Sequence, residues 1–429
     1  MTQGTVPYKE IFDHKGPLLY AINWLGILSG GGIGVWVIEL ISLVAAIGLF
    51  YKTARRFFSE EASFLGTFAA FIALINWFEG GNFTESYALF FIAGGMYCLT
   101  GYFVQEFELK PKQTFIAGLC MGAVLMLRIN IIGVWVGMCA VIFVHTILIK
   151  KYKLLLRYVL FFILGIITAI VPFVIWLAVK GALSDFYYCY IEFNFGYIDV
   201  PFSKIIGSVR NIFIYPIVWV VTICLIIFSL WQIIKRKNNI ALSVTLIGAF
   251  ITTMILTTMS GHWFKHYYMA IVPCIVIPVA LISDIAIEKF RIKPIVIMLL
   301  FGLCFLSEAK KGVQEIKTAT QVVEENEILA EQFRVMTTPN EAVAYIGNWC
   351  VVYLMSERFP DTYYPYFSPT SMSSPEMVEK YVKALDESAP RVIMYTQHKY
   401  PKKILKYIAK NYTEAYTLNN TIIYERNEN

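Results

Sequence analysis

What most constrains this 429-residue chain is a succession of apolar stretches, each about as long as a bilayer-crossing helix and each closed by a charged or glycine-rich break. A hydrocarbon core of about 30 Å needs about 20 apolar residues as helix. That rule predicts about ten spans, near 33–51, 63–78, 85–104, 112–127, 130–149, 157–179, 211–233, 240–258, 267–286 and 294–308. The run from Phe115 to Leu148 is too long for one crossing at about 1.5 Å per residue. It holds Arg128 and Asn130, so the reading divides it there into two antiparallel helices. The expected fold class is mainly α: a polytopic helical membrane protein with a small extracytoplasmic C-terminal α/β domain.

Charge is spread to match. Charged residues make up 15% of the chain, against about 25% in soluble domains. Residues 1–308 hold 22 Lys/Arg and 15 Asp/Glu, and residues 309–429 hold 14 and 15. The tail therefore reads as an ordinary globular segment and the rest as lipid-embedded, which excludes a soluble enzyme, a disordered chain and a coiled coil. The net charge of +6 is no nucleic-acid signature, because the basic residues punctuate apolar runs. Six of the eight cysteines lie in those runs, where thiols behave as small hydrophobes. Only Cys189 and Cys350 fall in polar segments.

Basic residues set the orientation. Lys52, Arg55, Arg56, Lys110, Lys112, Lys150, Lys151, Lys153, Arg157, Lys235, Arg236, Lys237, Lys289, Arg291 and Lys293 fall in alternate connections, fifteen in all. The opposite connections and the N-terminal stretch hold seven: Lys9, Lys15, Arg128, Lys180, Lys204, Arg210 and Lys265. The first set is read as cytoplasmic. The N-terminus, the Glu79–Thr84 loop, the 180–210 and 259–266 loops and the tail are then outside. Three regions follow: an extracytoplasmic loop with an interfacial helix at 1–32, a transmembrane domain at 33–308 and an α/β domain at 309–429. An N-terminus on the outer side leads to the expectation that a first span is missing from this chain. In the tail, 319–335 reads as a polar helix and Ala342–Ile346 as a strand. Ser374 caps a helix opened by Pro375. Arg391–Tyr395 is a second strand, Pro401–Lys410 a helix, and Asn419-Asn420 a turn between two closing strands.

Ionisable groups are costly near lipid, so those at the membrane boundary need a reason. On the assigned topology they gather on the outer side: Glu10, Asp13, His14 and Lys15; Glu79 and Glu85; Arg128 and Asn130; His262, Lys265 and His266. A transporter would place such groups near the midplane; their position here favours a reaction at the surface. Bland readings stand beside each. Thr84 as N-cap and Glu85 at a helix N-terminus explain part of the second group, and snorkelling explains a lone arginine at a span end. Basic side chains beside acidic ones suit an anionic leaving group facing a carboxylate base. His262 and His266, four residues apart, would offer a divalent metal two ligands if their loop were helical. The aromatics of 185–197 read first as an interfacial belt, with stacking on a sugar acceptor as the other role.

The elements GTVPYKEIFDHKGPLLY (residues 4–20), GGNFTESYAL, LRIN and SGHWFKHYY together resemble bacterial membrane glycosyltransferases of the GT-C superfamily, in its protein mannosyltransferase-like and ArnT-like branch. The resemblance covers most of residues 4–285. It implies transfer of a sugar from a polyprenyl-phosphate donor to an acceptor hydroxyl of a glycan, lipid or protein, on the extracytoplasmic face of a bacterial inner membrane. It also implies that Lys15 binds the donor phosphate and that Arg128, His262, Lys265 and His266 join it, with Glu85, Asp13 and Glu79 in acidic roles. The principal catalytic acid of that family lies upstream of the PY element, where this chain begins. It is therefore missing by truncation, or replaced by Glu10 or Asp13, or the protein is inactive. An alternative reading is a non-catalytic exporter or flippase of lipid-linked glycans, which needs a polar path through the spans. A third is an assembly partner whose tail binds other envelope proteins.

Overall fold

The computed structural model describes residues 4–427, apart from 197–199, 235–239, 305, 348–350, 361, 370–371, 373 and 398. Cys350 and the basic run Lys235–Lys237 therefore lie outside the described residues. Helix α1 (Pro17–Ala54) opens on a proline, whose missing N–H costs nothing at a helix start. It breaks at Gly30–Gly31, where Gly31 takes a left-handed φ of +62°. The segment expected to lie at the interface is thus the first arm of a broken helix. There follow α2 (Glu60–Trp77), α3 (Thr84–Val104), α4 (Pro111–Leu125), α5 (Gly133–Leu148) and α6 (Tyr152–Val179). The long apolar run is divided where its polar residues predict, with α4 and α5 separated by a 3₁₀ turn at Ile129–Ile131.

Beyond α6 the chain forms α7 (Leu183–Phe186), a π-helical Tyr187–Glu192 and α8 (Phe193–Gly196). An amphipathic α9 (Phe202–Ile212) then meets α10 (Pro216–Ile234) at a bend of 87°. Next come α11 (Ile240–Thr258), a 3₁₀ segment at Lys265–Ile271 leading into α12 (Val272–Phe290), α13 (Pro294–Cys304) and α14 (Leu306–Met336). Among the described residues each of the ten expected segments contains a helix, but 211–233 runs across the bend between α9 and α10. Among the described residues, five helices are long and apolar enough to cross a bilayer, and six if the bent pair counts as one. Of the other four, α4, α5 and α13, at 15, 16 and 11 residues, reach only about 16–24 Å, while α2 has 18 residues and begins on Glu60 and Glu61.

The spans pack through small residues, as helices in lipid must when they gain no hydrophobic drive from each other. Gly118 on α4 lies so close to α6 that a Cβ there would sit 2.0 Å from the Phe162 carbonyl oxygen. A Cβ on Gly165 of α6 would sit 2.1 Å from that of Phe115. Gly118→Val is expected to cost about 1–3 kcal/mol by forcing this crossing apart. Thermal unfolding in detergent reads the loss; an unchanged midpoint would mean the two backbones are not in contact.

In the tail, β1 (Val343–Ile346) pairs parallel with β2 (Val392–Thr396). Between them lie α15 (Val351–Ser356) and α16 (Pro375–Ser388). After α17 (Lys402–Asn411), β3 (Tyr412–Leu418) and β4 (Thr421–Arg426) close an antiparallel hairpin, giving the sheet order β1-β2-β4-β3. The hairpin turns at Asn419, with φ +50°, a conformation asparagine tolerates. Ser374 caps α16, its Oγ accepting from the Met377 N–H at 3.3 Å. The expected elements of the tail fall where the sequence places them, except that its first helix extends back to Leu306; α15 has no counterpart in the sequence reading. The tail also shares a core with other parts of the chain. Val6, Tyr8, Phe12, Leu177, Cys189 and Tyr190 pack in one cluster with Ile346, Tyr364, Phe367 and Tyr381.

Candidate active site

The N-terminal segment is folded by its own side chains before it reaches the helices. Tyr8 turns through φ +71°, and its N–H donates to the Ile11 carbonyl at 2.9 Å. The Glu10 carboxylate accepts the Val6 N–H at 2.7 Å, closing the loop around itself. Tyr8 Oη donates to the Lys15 carbonyl at 2.7 Å. Gly16 then docks on the chain just before Arg128, its N–H donating to the Leu127 carbonyl at 3.1 Å. A Cβ at Gly16 would lie 2.0 Å from the Met126 carbonyl oxygen. The glycine of HKGP is what lets Lys15 approach Arg128.

Arg128 is the hub. Its Nη1 contacts the carboxylate of Glu85, and its Nε donates to Asn130 Oδ1 at 2.8 Å. Its guanidinium lies 4.0 Å over the Tyr267 ring. Glu85 is buried at the start of α3, with Thr84 Oγ1 donating to it at 2.7 Å. Thr84 is therefore not the N-cap of α3. Phe83 holds that position, with no side-chain cap. Lys15 and His266 also lie within electrostatic range of Glu85. Four residues from four separate parts of the sequence thus meet at one end of the bundle.

Glu79 forms the second acidic element. Residues 79–82 all take positive φ, +47°, +89°, +86° and +57°, so Glu79 and Asn82 flank the glycine pair in left-handed conformations that cost energy. The turn aims Glu79 at His266, whose backbone N–H donates to Oε2 at 3.1 Å and whose Nδ1 lies 2.7 Å away. Phe83 stacks on the His266 ring at 4.0 Å. The turn is held from behind by Glu39, a buried carboxylate on α1 that accepts the Asn82 N–H at 2.7 Å and Ser86 Oγ at 2.5 Å. Glu39 has no place among the residues read from sequence. A carboxylate inside an apolar run was the signal that marks it.

His14 sits between Lys15 and the tail, with Nε2 3.3 Å from Lys15 Nζ and Nδ1 3.3 Å from Tyr366 Oη. Asp13 Oδ1 accepts from the same hydroxyl at 3.3 Å. Burial, then the positive charges of Lys15 and Arg128, push the His14 imidazole well below its ordinary 6.5. Burial alone would raise the Glu79 carboxyl, but the hydrogen bonds and charge of His266, with Lys265 beyond, hold it below its ordinary 4.5. Each shift has a consequence for stability. Below pH 6.5 the unfolded chain takes up a proton at His14 that the folded chain refuses, so stability falls as the pH drops. Below 4.5 the ion-paired Glu79 adds a second loss as the pH falls through its depressed value. His14→Asn is expected to remove the upper part of the profile and Glu79→Gln the lower. Thermal midpoints measured against pH check this, and a profile unchanged by His14→Asn would be the contrary result.

Of the expected site residues, Lys15, Glu85, Arg128 and His266 are brought together, with Glu79 on His266 and Asp13 on His14. Lys265 acts on Glu79. His262 lies farther out, where burial and then Lys204 and Arg128 lower its pKa. The helical condition for a His262/His266 metal pair is not met, since the 3₁₀ turn starts at Lys265 and Phe264 before it is extended. No cluster of three or more metal-ligating side chains occurs among the described residues. The 185–197 aromatics divide. Phe186 and Phe193 pack edge-on against Tyr8 and Phe12, while Tyr187 and Phe195 stay exposed. Part of the expected belt is thus a clamp on the N-terminal segment, and Tyr197 lies outside the described residues.

A helical bundle with a charged end and a small α/β domain defines a polytopic membrane protein. The crystal structure of ArnT from Cupriavidus metallidurans in the apo state matches it with a TM-score of 0.56, over 96% of this chain and 88% of that one, at 13% identity. At that identity the likeness is one of fold. Residues 1–292 match the model of the family described as "Putative competence-induced protein Ccs4 N-terminal domain", and the chain belongs to that family. No curated protein sequence matches it.

Proposed function

We propose that this protein is a membrane glycosyltransferase that moves a sugar from a polyprenyl-phosphate donor to an acceptor hydroxyl on the outer face of a bacterial inner membrane. The observation that carries the reading is the convergence of Lys15, Arg128 and His266 around buried Glu85 at the end of the bundle where the sparsely basic connections meet. The fold shared with ArnT supports it. In this reading Lys15, Arg128 and His266, with His262 and Lys265 at the edge, hold the donor phosphate. Their charge stabilises the leaving oxyanion as the glycosidic bond breaks. Glu85, buried and committed to Arg128 and Thr84, holds the arginine in place. Asp13, whose side chain remains 28% exposed beside Lys15, takes the acceptor's proton as general base; Glu79 orients His266.

Reconstitution in liposomes with a polyprenyl-phosphate sugar separates the readings. Lipid-dependent loss of sugar from the donor to an acceptor supports the transferase. Movement of intact donor between leaflets without cleavage would establish the flippase instead.

A further inference from the structure

The loop Thr362–Ser368 of the C-terminal domain reaches back over the N-terminal segment. The Phe12 N–H donates to the Tyr363 carbonyl at 2.7 Å, and Tyr363 Oη donates to the Tyr8 carbonyl at 2.7 Å. Phe12 packs on both Tyr363 and Tyr364. Three residues further on, Tyr366 places its hydroxyl 3.3 Å from both Asp13 Oδ1 and His14 Nδ1. The other ring nitrogen of His14, Nε2, lies 3.3 Å from Lys15 Nζ.

Proton bookkeeping assigns the rest. An ammonium has three donors and no acceptor, so the nitrogen facing Lys15 must accept. A neutral imidazole carries one proton, and it then sits on Nδ1, facing Tyr366. Tyr366 accepts that proton's hydrogen bond and gives its own to Asp13, an acceptor-only carboxylate. Each of these three contacts then pairs one donor with one acceptor, and reversing the imidazole would set two donors against each other at Lys15.

We propose that Tyr366 is a positioning residue by which the C-terminal domain completes the site: with Lys15 setting His14 as the Nδ1–H tautomer, Tyr366 accepts the Nδ1 proton, holds the ring with Nε2 on the Lys15 ammonium, and orients Asp13. The inference deepens the phosphate-binding reading and rests on it for its consequence, though not for the tautomer itself. It places the tail inside the machinery, which explains why that domain's core is continuous with the N-terminal segment.

The test uses the full chain in detergent, with histidine ¹⁵N spectra and the affinity for undecaprenyl phosphate as readouts. Five histidines occur in the sequence, so His14 is assigned by the signal lost in His14→Asn. Wild type is expected to show the Nδ1–H form. Tyr366→Phe, which removes the acceptor of the Nδ1 proton, should shift the His14 ¹⁵N signals and weaken undecaprenyl phosphate binding about two- to tenfold, the range for one net hydrogen bond. Tyr363→Phe, on the same loop, removes a docking contact but should leave the His14 signal in place. A merely structural loop predicts that the two variants behave alike, and that result overturns the proposal. So does a wild-type His14 in the Nε2–H form. If wild type binds no undecaprenyl phosphate, the phosphate-binding reading fails, and the comparison of His14 signals decides this inference alone.

Discussion

Arg128→Met is expected to destabilise the protein by about 3–5 kcal/mol, because it strands a buried charge. Glu85 is 2% exposed and its carboxylate faces Arg128. Removing the guanidinium leaves that carboxylate with the Thr84 hydroxyl as a much weaker partner. The loss also includes the contact over Tyr267 and the hydrogen bond that orders Asn130. An uncharged double variant, Arg128→Met with Glu85→Gln, removes the stranded charge along with its partner. It should therefore recover part of the loss, with a coupling of about 0.5–3 kcal/mol between the two positions. Thermal unfolding of the four proteins in one detergent gives the cycle. Additive losses would mean that Arg128 and Glu85 do not depend on each other.

Lys15→Ala has the largest expected effect on turnover with the smallest on the fold. The main-chain carbonyl that accepts from Tyr8 is kept by alanine, and Lys15 Nζ is placed by His14 rather than by a buried ion pair. Loss of one preorganised electrostatic group typically lowers turnover about 10²–10³-fold, or about 2.7–4 kcal/mol. Transfer from a polyprenyl-phosphate sugar should fall by that factor while membrane insertion and thermal midpoint stay near wild type. His266→Ala should also lower transfer, and it removes the ring that Glu79 and Phe83 hold. Normal turnover in both variants would remove the phosphate site from this end of the bundle.

These two predictions draw on different levels of legibility. Lys15 and Gly16 could be singled out within one short segment, where an acid, an imidazole and an amine precede a glycine-proline turn. Arg128 stood out because an arginine inside an apolar run calls for a partner. The partner itself was beyond reach, since Glu85 lies 43 residues away with many acids to choose among. Glu39 lies inside a predicted span, where the same rule applies to it, and only the Asn82 N–H and Ser86 hydroxyl around it show its use. Tyr366 had no local signal at all. Tyrosine is common in this chain, with 27 copies, and nothing near position 366 points to Asp13, 353 residues earlier.

The helices, the division of the long apolar run at Arg128–Asn130 and the gathering of ionisable groups on one side were determined by the sequence alone. Apolar run length and charge placement are properties of contiguous residues, and lipid enforces them segment by segment. Pairing, burial and proton placement were decided only by the tertiary structure. Which carboxylate is locked, which stays open and which tyrosine crosses from the tail depend on close approaches between distant segments, such as the one Gly16 permits against Met126. Such contacts follow from the packing of the whole bundle, and no stretch of neighbouring residues encodes them.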